Sequence, residues 1–223
     1  MNAIPRFLRP DPLRSMAPQP KVYGGPMQLA LRLMIKLQGH RQLLSRHGIE
    51  DEEVARSLGL GEWLDTDTYD RQSLQRQLRR NADRFAEAGY KLDYPEPLGA
   101  NLKALARLLG LNTVDFQVLG LCALVHSDSL LSRCIGLYGG IDNRRLVSTL
   151  GLLLQLPARD IQMALSREAT LLSSGLLEVD YSVGDITLND RLSFSNSDLL
   201  DQLCYHHGAA EELFRHSFRI SEP

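Results

Sequence analysis

The sequence predicts a mainly α fold, a helical domain followed by a winged-helix unit built from a helix-turn-helix and a short β-hairpin. Three observations carry that expectation. Aromatic residues make up only 6% of the 223-residue chain, so leucine and alanine must supply the core, which favours helices. Apolar residues recur at three- and four-residue steps along most of the chain. Between Asn143 and Leu188 the order is helix, proline-started helix, glycine stop and then a period of two.

Residues 1–25 hold Pro5, Pro10, Pro12, Pro18 and Pro20 among arginines and end in Gly24-Gly25, which reads as a flexible, extended arm. Pro26 opens a helix expected to reach about His47, with Gly39 as a weak point. Glu50 to Glu53 place negative charge at the start of a short helix that Gly59 ends. Trp63, the only tryptophan, reads as a core anchor. Residues 66–89 form the most basic helix, with Leu74, Leu78 and Phe85 on one side and Arg71, Arg76, Arg79, Arg80 and Arg84 elsewhere around it. Such a face holds phosphate or an acidic partner, or simply lies in solvent beside Asp65, Asp67, Asp70 and Asp83. Arg71, Arg76, Arg79 and Arg80 are the candidate partner contacts.

Tyr94-Pro95-Glu96-Pro97 breaks the pattern and divides a helical subdomain, 26–94, from a winged-helix subdomain, 95–192. Beyond it, Leu102, Leu105, Leu108 and Leu109 give an inward stripe that stops at Gly110, and Asn112 or Thr113 caps a helix apolar almost all round. SLLSRCIGLYG follows as a further segment. The next helix uses Leu146, Val147, Leu150, Leu153 and Leu154. A second is expected over 157–174 with the stripe Ile161, Ala164, Leu165, Glu168, Leu171 and Leu172, ended by Gly175. Leu177, Val179 and Tyr181 alternate, residues 182–185 turn, and Ile186 and Leu188 alternate again as a returning strand. Residues 193–223 read as short helices, with Leu199, Leu200, Leu203, Leu213 and Phe214 packing back, and a linker-like end. VARSLGL, LARLLGL and LVSTLGL repeat one local pattern, a helix stopped at glycine with leucine folded beneath it.

Signatures of chemistry are missing. There is no GxxxxGK[ST], and residues 136–140, GLYGG, lack the lysine and hydroxyl that hold a nucleotide's phosphates. Cys204, His206, His207 and His216 have no metal-ligand spacing, and His126-Ser127-Asp128 are neighbours in sequence, not a triad in space. Catalytic, cofactor-binding and metal-binding residues are therefore not expected. An odd count of three cysteines, two of them in apolar helices, suits reduced thiols and not a disulfide framework. No apolar run approaches the roughly 18 to 20 residues of a membrane span, and the first residues lack the hydrophobic stretch of a secretory signal. The expected location is the cytoplasm.

Charge weighs the usual role of a winged helix. The chain carries a net −2, so nucleic acid would have to meet a local patch. Between Ile141 and Leu192 five arginines face seven acids, and the stretch from Glu178 to Asp190 is acidic outright. A protein contact is the expected use of this unit. The alternative is a self-standing DNA-binding regulator reading through Arg144, Arg145, Arg159 and Arg167.

The segment order ANLKALARLLGLNTVDFQVLGLCALVHSD, then LVSTLGLLLQLPARDIQMALSREATLLSSGLLEVD, then LLDQLCYHHGAAEELFRHSFR resembles the region preceding the ATPase module in a group of large bacterial AAA+ ATPases, over about residues 51–218. The likeness rests on leucine-glycine patterning. It implies an amino-terminal, non-catalytic interaction or regulatory module that docks a protein partner, a substrate or the neighbouring ATPase core. ATP and magnesium would belong to that following module alone, and no ATPase residue of the family has a counterpart in this chain.

Overall fold

The computed structural model describes residues 24–44, 48–64, 70–87 and 92–207, with side chains throughout except at 85–87. The proline-rich stretch 1–23, the Phe85 side chain, Leu213 and Phe214 lie outside the described residues, as do the expectations placed on them. The described residues are mainly helical, with one two-stranded antiparallel sheet.

The chain enters α1 (Gly24–Lys36) at Gly25, whose amide donates to the Asp93 carboxylate. This helix was expected to continue to about His47. It stops at Lys36 because Gln38 takes a left-handed conformation, φ 62°, and a four-residue α2 (His40–Leu43) restarts the chain. The His40 ring, 7% exposed, closes the break through Nδ1 to the Met34 carbonyl. Asp51 caps α3 (Glu52–Ser57), and Arg133 reaches across from α7 (Ser129–Tyr138) to Asp51 at 2.7 Å and Glu53 at 2.9 Å. A 3-10 turn, Gly61–Trp63, leaves Trp63 half-buried against the core. Then α4 (Arg71–Glu87) buries Leu74 and Leu78.

Past the cis Glu96–Pro97 bond, α5 (Leu98–Leu109) buries Leu102 and Leu105, while Leu108, expected inward, is 59% exposed. Asn112 accepts from the Val114 and Asp115 amides to start α6 (Thr113–Ser127), the helix around which the others pack. It is apolar on every side because every side has a neighbour, with α5, α7, α8 (Asn143–Leu154) and α9 (Ala158–Ala164) all against it. Even its Gly120 is required, since a Cβ there would run into the Tyr94 ring. One apolar cluster runs from Met27 to Leu203, with α1 lying across α4, α7 and α8 and α12 (Ser197–Tyr205) returning to α5 and α6. Among the described residues no single helix is long and apolar enough to cross a membrane.

Four helices stop in the same way. Gly59, Gly110, Gln155 and Gly175 all have positive φ, and the leucine after each donates its amide five residues back, to Ala55, Ala106, Gly151 and Leu171. This is the main-chain bond of a Schellman stop, with the leucine folded against the helix it closes. The third stop was expected at Gly151 and falls four residues later, at Gln155, because the helix runs through Gly151.

Two expectations in the carboxy-terminal half are corrected. The helix over 157–174 is broken into α9 and α10 (Thr170–Ser173), with Ala169 extended between them. A continuous helix would have held Glu168 on the buried stripe beside Leu165 and Leu172, and the break turns that carboxylate out to solvent. The strand β1 (Leu177–Val179) does not pair with residues 186–188. Ile186 makes a single bridge to Ile141, Leu188 begins α11 (Leu188–Arg191), and β1 pairs with β2 (Leu192–Phe194), Leu177 opposite Phe194 and Val179 opposite Leu192. The reason lies in Thr187-Leu-Asn-Asp190, a capping-box spacing that starts a helix. Thr187 accepts from the Asp190 amide, and its hydroxyl donates to the Asp190 carboxylate at 2.7 Å.

Candidate functional site

The loop between β1 and α11, residues 180–186, is held by Arg191, which in the sequence is one base among five in this segment. Arg191 is fully buried. One guanidinium nitrogen donates to Asn143 Oδ1 at 2.7 Å and to the Asp180 and Ser182 carbonyls at 2.7 and 3.1 Å. The other donates to the Ile141 and Gly184 carbonyls at 2.8 and 2.6 Å. Asn143 completes the clamp by donating from Nδ2 to the Tyr181 carbonyl at 2.9 Å. A buried cation normally demands a carboxylate, and here an arc of main-chain dipoles supplies the negative potential. The Asp180 carboxyl is held below its ordinary range, first by the Ser182 amide and hydroxyl and then by the Arg191 charge. Gly140 lets the loop approach, since a Cβ at that position would lie 2.8 Å from the Asp185 backbone.

Around this clamp lies an exposed face. The outer side of α9 carries Met163, 61% exposed, with Arg159 and Gln162 beside it. The loop adds Tyr181, 53% exposed and donating its hydroxyl to the Leu165 carbonyl, and Val183, which is fully exposed. A shallow cleft of about 360 Å³ lies between Asn143, Val147, Gln162, Arg167 and Tyr181. Beyond Met163 a larger one of about 590 Å³ is lined by Asp115, Asp160 and Glu168, with no basic side chain in its wall. Burial raises the Asp115 carboxyl above its ordinary value, with the Asn112 amide partly opposing it. Its carboxylate is spent on the α6 cap, accepting from Asn112 Nδ2 at 2.8 Å.

The structure disperses the arginines proposed for nucleic acid. Arg145 turns to Tyr138, donating to its hydroxyl at 2.6 Å and lying 5.6 Å from the ring centroid. Arg167 flanks the cleft beside Asn143, while Arg159 sits at the opposite end of α9 next to Asp160. Arg144, Arg159 and Arg167 are exposed and bond to no described residue. On α4, Arg71 donates to the Leu44 carbonyl at 3.4 Å, and Arg76 lies 3.8 Å from Asp70. Arg79 and Arg80 are exposed, and Arg79 lines a cleft with Arg32 and Lys36.

The residue types that suggested chemistry are occupied structurally. Ser127 donates to the Ala123 carbonyl, His126 Nε2 contacts the Leu192 carbonyl at 3.1 Å, and Asp128 caps α7 through the Leu131 amide. All three cysteines are free thiols, with Cys122 and Cys134 buried. Burial pushes Cys134 up to about 12 and raises Cys122 further. Among the described residues no group of three or more His, Cys, Asp or Glu side chains is arranged to hold a metal ion. Comparison with protein families, with curated proteins and with solved structures returned no match.

Proposed function

We propose that this chain is a non-catalytic docking module and that the face formed by α8, α9 and the Arg191-clamped loop contacts a protein partner. In this reading α8 and α9 form the helix-turn-helix of a winged-helix-like unit, Ile141 and Ile186 the remnant of its third strand, and residues 180–186 its wing. The observation that carries the proposal is the exposure of Met163, Tyr181 and Val183 on elements that are themselves braced, with Asp160 and Glu168 lining the cleft beside Met163. Exposed apolar side chains on a pre-organised scaffold are what a protein interface uses as anchors, since little ordering entropy is lost on binding. The AAA+ resemblance would make the occupant of this face a protein partner, a substrate or the ATPase module of such a protein, and the last is the one that can be tested directly.

The alternative, a DNA reader, draws on the three arginines that bond to no described residue, Arg144, Arg159 and Arg167. Asp160, Glu168, Asp180 and Asp185 lie among them, and phosphates approaching this face would be repelled. A fluorescence-anisotropy titration against random duplex at low and moderate salt separates the readings. The docking proposal expects a flat, weak signal; saturable binding that falls steeply with salt would replace it with the DNA reading. The companion calorimetric titration, against the separately expressed ATPase module, is expected to give saturable heat.

A further inference from the structure

We propose that the cleft between α1 and α4, closed at one end by the carboxy-terminal turn of α8, is a binding site for a low-molecular-weight polyphosphate. This stands apart from the docking face: α8 runs from Asn143 in the loop clamp to Leu154 at this cleft, roughly 17 Å away at helical rise.

The cleft has a volume of about 520 Å³, within the range of small-molecule sites. Arg32, Lys36 and Arg79 bring three cations to its wall against one carboxylate, Asp83, and no ion pair within 4.0 Å joins any of them to it. Arg32 is the informative member. It is half-buried, and burial lowers its pKa from the ordinary value. Nη1 donates to the Leu153 carbonyl at 2.7 Å and Nη2 to Gln155 Oε1 at 3.2 Å, so the guanidinium is fixed in direction. Only two of its five N–H donors are used there. A desolvated cation, oriented and with donors to spare, gains most from an anion that brings several acceptor oxygens.

Phosphate chemistry fits better than a single carboxylate, because three cations at different points of the wall need charge spread over several groups. The concavity favours a small ligand. A nucleic acid strand needs a track of cations along its backbone, whereas Arg32, Lys36 and Arg79 line a single concavity on a chain of net charge −2. The floor, Leu31, Ile35 and Ala82, is apolar, so two sources of the same chemistry are in play, a free polyphosphate and a nucleotide whose base rests on that floor.

The test is calorimetric titration of the full 223-residue chain with sodium tripolyphosphate and, separately, with ATP, both without added metal and at low salt. Saturable binding of tripolyphosphate is expected. Tighter binding of ATP assigns the floor to a base, and equal binding assigns the site to the phosphates alone; both support the proposal. The double variant Lys36→Ala with Arg79→Ala removes two exposed charges and leaves the core intact. It is expected to weaken binding roughly tenfold or more, the equivalent of losing one charge-assisted hydrogen bond outright. Arg32→Gln, which also loosens the end of α8, serves as a second variant, with its circular dichroism spectrum recorded beside the titration. The proposal is overturned if wild type binds neither anion saturably, or if the double variant weakens binding less than threefold.

Discussion

Arg191 donates from its two terminal nitrogens to four carbonyls and one amide oxygen, while its buried Nε has no partner, and all five of those bonds would be lost together if the guanidinium were removed. Arg191→Met is expected to destabilise the fold by roughly 3 kcal/mol or more, read from urea denaturation, and to raise hydrogen exchange at the Ile186 amide. Arg191→Lys should recover only part of this, since an ammonium cannot span both sets of carbonyls. At Asp51, burial alone would raise the carboxyl, but the Val54 amide and then Arg133 outweigh it and hold the carboxyl below its ordinary range. A depressed folded-state value means the contribution is fully present above the unfolded value, about 3.9, and is lost as pH falls through the folded one. Acid unfolding of Asp51→Asn should therefore be less steep below about pH 4, while Asp51→Ala, which also loses the cap, should cost about 1 kcal/mol at neutral pH. The buried thiols make a further check. Cys122 and Cys134 should resist a thiol reagent at pH 8 until the chain is unfolded, because the attacking species is the thiolate and burial suppresses it. None of the loop clamp was legible in advance as a role for Arg191, since a buried arginine and a solvated one look alike in a sequence. The nearest signal was Thr187-Leu-Asn-Asp190, which marks a helix start and so rules out the strand that was read there.

Elements were legible where one local rule acted alone. The caps at Asn112 and the stop at Gly175 followed from side-chain chemistry that needs no tertiary context. Boundaries failed where packing overrode periodicity, as at Glu168, whose presence on an apolar stripe was itself the warning that the helix over 157–174 would break. Gln38 and Gln155 gave no signal, because a glutamine in the left-handed region is chosen by its surroundings. Gln155→Gly is expected to stabilise the chain by roughly 0.5–1 kcal/mol in thermal denaturation by relieving that conformation. Gly120→Ala tests the opposite case. Alanine is the better helix former, yet a methyl group here meets the Tyr94 ring, and a loss of about 1–3 kcal/mol is expected.

At the scale of the molecule, the hydrophobic cluster is continuous from α1 to α12 and crosses the proline-rich step at 94–97 without interruption. Unfolding is accordingly expected to be a single transition, with Trp63 fluorescence and far-ultraviolet circular dichroism superimposing across a urea titration. The mainly helical class was legible from leucine patterning because that pattern is set by burial itself. For the role of the exposed face the sequence offers only a charge argument, since the sign of a surface narrows its partners without choosing one. Met163 and Val183, held out on braced elements, are the side chains proposed to anchor a protein partner. Their role is tested by calorimetric titration of an AAA+ ATPase module, the partner proposed above, with wild type and with the Met163→Asp, Val183→Asp double variant. Saturable heat is expected for wild type and at least a roughly tenfold weaker association for the variant; equal binding by both chains would rule these two side chains out as anchors.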